Sequence, residues 1–64
     1  MTPGFSREVN RQSRKTPDQL KTEIAYFARE LQRTTSVDRQ RRAHVAIRVR
    51  EAALTVALQV RAGR

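Results

Sequence analysis

The chain has 64 residues, with 14 Lys+Arg against 6 Asp+Glu, a formal net charge of +8, one histidine and no cysteine. A single domain is the most this length supports, and one so small buries only roughly 60% of the surface its unfolded chain exposes. Disulfides and thiolate metal sites are excluded and His44 alone cannot hold a metal ion, so no metal or cofactor is expected and self-association is the remaining route to stability.

The positive excess favours an acidic partner: nucleic acid, an acidic protein surface or an anionic membrane. No apolar run approaches the ~20 residues of a membrane span. Met1 to Lys15 also lacks the apolar central stretch of a secretory signal, so a cytoplasmic location is expected.

Residues 1–15 show no sustained periodicity. Phe5 and Val9 are four apart and Ser6 suits the cap of a short helical turn, but the segment reads as a flexible basic arm. Arg7, Arg11, Arg14 and Lys15 outnumber Glu8 there, and basic arms track phosphates.

The first clear helix is predicted over 17–33. Thr16 precedes Pro17 and is followed three residues later by Gln19, the pattern of a capping box with proline at the first helical position. Asp18 complements the positive end of the helix dipole. Leu20, Ile24, Phe27 and Leu31 recur at steps of four, three and four, a narrow seam of the kind found between paired helices. Lys21, Glu23, Arg29, Glu30 and Arg33 are expected on the other face, and Tyr26 opposite the seam.

Thr34, Thr35 and Ser36 weaken a helix and favour a cap. A break is expected there, with Thr35 and Ser36 competing to cap the next helix; one continuous helix is the alternative. The second helix is predicted over about 37–61, with Gly63 as an end signal and Arg61 favourable near the C-terminal dipole. Its front is charged nearly all round. Further on, Val45, Val49, Ala52, Val56 and Val60 form one stripe, and Ala43, Ile47, Leu54 and Leu58 a neighbouring one, linked by Ala46, Ala53 and Ala57. A helix facing one partner needs a stripe of about 100°. This one is wider, so more than one helix should cover it. The expected fold is therefore all-α: a two-helix antiparallel hairpin over 16–64 behind the flexible basic N-terminal arm. Two copies would form a four-helix homodimer through Val45, Val49, Ala52, Val56, Val60, Leu54 and Leu58.

Catalysis is not expected. There is no glycine-rich loop, no purposeful carboxylate pair and no cysteine nucleophile. Ser6, Ser13 and Ser36 lie beside no histidine in any recognisable triad pattern. His44 reads as a helix-surface histidine.

Charge placement says more. Residues 1–15 hold four basic and one acidic residue, 16–35 three of each, and 36–64 seven and two. The net charge thus falls on the arm and the second helix. Nucleic-acid contacts are expected from Arg39, Arg41, Arg42, Arg48 and Arg50, with Arg7, Arg11, Arg14 and Lys15 of the arm. Arg41 and Arg48 share one helix side, and Arg39 and Arg50 another. Arginine's planar fork suits phosphates and guanine edges. A basic stretch leading into an apolar association stretch has the layout of basic-region zippers, without their leucine heptads. The turn lacks the glycine usual in a helix-turn-helix, and 5–11 lacks the alternation of a strand. Few aromatics are available for stacking on single strands.

The expectation is thus a non-catalytic nucleic-acid-binding protein. DNA is favoured over RNA, and the role fits a phage or plasmid regulatory or accessory factor. The alternative is a helical interaction module, an adaptor, inhibitor or virion component, using the wide apolar face or an acidic protein partner. A membrane surface is disfavoured, because the arginines cluster at one end of the helix and tryptophan is absent.

Overall fold

The computed structural model describes residues 3–62, which form three α-helices and no strand: α1 (Pro3–Gln12), α2 (Pro17–Arg33) and α3 (Val37–Ala62). The all-α expectation holds. The two-helix count does not, because the segment expected to be a flexible arm contains α1. Gly63 and the first two residues of that arm lie outside the described residues, as does the side chain of Arg61.

α1 forms because it has something to pack against. Ten residues are too few for a stable helix in water. Phe5, Val9 and Gln12 fall on one face at helical spacing. Val9 is buried together with Val49 and Ala53 of α3, and Phe5 packs against the same cluster. Gln12 is buried as well. The chain then leaves the helix through bonds from Ser13 N to Val9 O at 2.9 Å and from Lys15 N to Gln12 O at 3.0 Å.

α2 starts as its sequence dictates. The Gln19 N–H donates to Thr16 Oγ1 at 3.2 Å, and the Thr16 N–H donates to Gln19 Oε1 at 3.1 Å, completing the capping box. Leu20 is fully buried, and Ile24, Phe27 and Leu31 of the same seam are half-buried. Tyr26 is 60% exposed on the far side.

The helix stops at Arg33, where Thr34 turns extended (φ −85°, ψ 140°) while its N–H still donates to Glu30 O. The break expected at 34–36 is present. Ser36, not Thr35, caps α3: Ser36 Oγ accepts from the Arg39 N–H at 3.4 Å. The Gln40 side chain braces the link by donating to Thr34 O at 3.2 Å.

α3 is the strut on which both other helices rest, while α1 and α2 touch each other little. Two partners on two sides explain why its apolar residues spread so widely round the helix. The expectation that more than one helix covers α3 is therefore met within the chain, by α1, rather than first by a second copy.

Coverage is partial. At 1.5 Å per residue, α1 is about 15 Å long and α3 about 39 Å. Along the stripe facing α1, Val49 in the middle is buried, while Val45 and Val60 at the two ends remain 58% and 54% exposed. Ala52 and Val56 are half-buried against the core. Among the described residues, no helix is long and apolar enough to cross a membrane.

Candidate nucleic-acid interface

The front of α3 presents its arginines in two rows. Residues seven apart on an α-helix nearly eclipse, so Arg41 and Arg48 point the same way, and both are exposed. Arg39 lies toward α2, in a shallow groove with Phe27, Glu30, Arg42 and Ala43. Arg42 also lines a second groove on the α1 side, so it stands between the rows. Among the described residues, ion pairs join only Arg11 to Glu8, Lys15 to Glu23 and Arg50 to Glu23. Arg39, Arg41, Arg42 and Arg48 have no carboxylate partner there.

Arg50 differs from its neighbours. Its Nε donates to Glu23 Oε1 at 2.6 Å and its Nη1 to Ala46 O at 3.1 Å. Its guanidinium carbon sits 4.6 Å from the Phe27 ring centroid, within range of cation–π attraction. Tyr26 adds an edge-on contact to Phe27, with the ring centroids 5.2 Å apart. The side chain of Arg50 is only 15% exposed. Its position therefore serves the joint between α2 and α3.

Lys15 is held in the same way. Its Nζ donates to both oxygens of Glu23, at 2.9 and 2.8 Å. The Lys15 hydrogen bond draws the Glu23 carboxyl below its ordinary range; desolvation opposes this, and the Arg50 hydrogen bond reinforces it. One carboxylate on α2 thus ties down the approach to α2 and the middle of α3.

Glu23 was expected on the face away from the seam. It sits three residues after Leu20 and four before Phe27, at the seam's edge, and that spacing is the signal that would have located it.

Arg7 and Arg11 on α1, and Arg14 in the turn that follows it, are exposed. Arg11 Nη1 is 3.8 Å from Glu8 Oε1, with the arginine side chain 80% exposed, a geometry worth little in water. Glu8 lines the α1-side groove with Arg41 and Arg42, which brings α1 to the front of α3. The structure thus leaves Arg39, Arg41, Arg42 and Arg48 exposed on α3, Arg7 and Arg11 exposed on α1, and Arg14 exposed in the turn after α1. It engages Lys15 and Arg50 internally.

Of the expected association residues, Val49 is buried within the chain, and Ala52, Leu54 and Val56 pack against the core cluster. Val45, Leu58 and Val60 stay exposed. His44 is exposed on α3. No group of three or more His, Cys, Asp or Glu is placed to hold a metal ion among the described residues.

Comparison with protein-family models, with curated proteins and with solved structures finds no match.

Proposed function

We propose that the chain is a non-catalytic nucleic-acid-binding protein that grips the phosphate backbone of a duplex, DNA in preference to RNA, with the front of α3. The observation that carries this reading is the cluster Arg39, Arg41, Arg42 and Arg48: four exposed arginines within ten residues of helix, without a carboxylate partner among the described residues. Each brings a fixed fork of donors that matches a phosphate. Arg7 and Arg11 of α1, with Arg14 in the turn after it, extend the positive surface. Lys15 and Arg50, held by Glu23, leave the set of contacts.

Fluorescence anisotropy with labelled duplex DNA and duplex RNA tests the reading. Binding at about 50 mM salt, with log affinity falling linearly against log salt, is the expected result. No binding to either duplex at that salt overturns it.

The same reading includes pairing of two chains, with α2 and α3 of each acting as an antiparallel hairpin and the ends of α3 meeting. Leu58 and Val60, 48% and 54% exposed near the end of α3, favour it. A two-fold pair would present two basic fronts to two half-sites. Leu58→Asp tests this more cleanly than a change at Leu54, which packs in the chain's own core. Sedimentation should show a dimer for the parent and a folded monomer for the variant; a monomeric parent contradicts the pairing.

A further inference from the structure

The apolar stripe of α3 that runs from Val45 to Val60 has its middle covered by α1 and its front end open. Val45 stands at that open end, 58% exposed. It forms part of a groove of about 350 Å³ with Ala46 and Val49, bordered by Arg41, Arg42 and Glu8. Arg50 also reaches this groove but is already bound to Glu23. On the helix surface Val45 has Arg41 four residues before it, Arg42 three before and Arg48 three after. These are the positions that neighbour it in space.

We infer that this groove is a docking site for an acidic amphipathic helix of a partner protein. Three features select that occupant. The floor is apolar and the border carries arginines with no carboxylate partner among the described residues. Nucleic acid would satisfy the arginines and leave Val45 in water. A second copy of the chain would bring its own net charge of +8 to the same arginines, and like charges disfavour that contact.

α1 itself shows what fits. It lies on the stripe with apolar side chains four apart, Phe5 and Val9, and its Glu8 lines the groove while pairing with Arg11 of its own helix. A partner helix with apolar side chains four apart and flanking Asp or Glu would extend α1's contacts to the uncovered end, the helix-in-groove mode of recognition. Its carboxylates would meet Arg41 and Arg42, the two arginines of the groove border that have no carboxylate partner among the described residues. The inference stands independently of nucleic-acid binding. Because Arg41 and Arg42 serve both, the two ligands would exclude each other.

The test uses the full chain and a synthetic helical peptide with leucines four apart flanked by glutamates. The controls are the same peptide with lysine for glutamate, and polyglutamate. Binding is followed by amide chemical shifts and by anisotropy. The glutamate peptide should bind with shifts centred on residues 41–50 and Glu8, and the lysine peptide should not. Polyglutamate should bind at least ~10-fold more weakly, since it cannot use the apolar floor. Val45→Lys, at an exposed position where folding is undisturbed, should weaken the peptide at least ~10-fold while leaving duplex DNA affinity undiminished. Duplex DNA should displace the peptide. The inference is overturned by no binding at peptide concentrations up to about 1 mM, by shifts centred elsewhere, by an unaffected Val45→Lys variant, or by polyglutamate binding as tightly as the peptide.

Discussion

Arg50 of α3 meets Glu23 of α2 through a 2.6 Å hydrogen bond while its guanidinium lies over the Phe27 ring. An arginine from the basic run thus becomes part of the joint between the two longest helices. Lys15 closes on both oxygens of the same carboxylate. The helices are joined by only a small core, in which Leu20 and Ala53 alone are completely buried among the described residues, so a shielded charged joint carries weight.

Glu23→Gln should therefore destabilise the fold by about 1–3 kcal/mol at neutral pH, most of it through the shielded Arg50 contact rather than the more exposed Lys15 one. The pH dependence has a definite sign. Glu23 titrates below its ordinary range because of Lys15 first and Arg50 second. Its contribution is complete above the unfolded value of about 4.3 and is lost as pH falls through the lower folded value. Thermal melts from pH 7 to pH 3 should show the parent losing stability on acidification more steeply than the Gln variant. Parallel curves would place the joint's stability elsewhere.

Val9→Asp should release α1. Val9 is 8% exposed in the core cluster, and a carboxylate there would be buried without a partner. Amide exchange and limited proteolysis should show residues 3–15 losing protection first. Unchanged protection in α1 would contradict its docking on α3.

Much of this architecture was legible. The capping box at Thr16 and Gln19, the Leu20–Leu31 seam and the break after Arg33 follow from local chemistry, and each appears where its residues require. α1 was not legible, because two apolar residues in a polar stretch, Phe5 and Val9, do not make a helix unless α3 supplies the surface. The excess width of α3 was visible, but which helix covered it was not. Glu23 and Arg50 were missed for a similar reason. They lie 27 residues apart in sequence, and only the packing of α2 on α3 turns two surface-like charges into one buried-edge contact.

Leu20→Ala should be the most damaging single truncation. Leu20 is 0% exposed, and such cavities cost about 2–5 kcal/mol, comparable with the ~3–5 kcal/mol a core of this size supplies. Circular dichroism should show loss of most helix at room temperature. Retention of a sharp unfolding transition near that of the parent would mean the core lies elsewhere.

Thr16→Ala removes the acceptor that holds Gln19 N at 3.2 Å. It should cost about 1 kcal/mol. Chemical denaturation should show a lower midpoint with an unchanged slope, and no effect on nucleic-acid binding is expected.

The most direct test of the central claim compares the salt dependence of duplex DNA binding by the parent and by a chain with Arg39→Ala, Arg41→Ala and Arg42→Ala together. These side chains are exposed, so helicity should be kept. The triple variant should bind more weakly, with a slope of log affinity against log salt shallower by about 0.9 for each phosphate contact removed. A folded triple variant that binds as tightly as the parent, with the same slope, would contradict it.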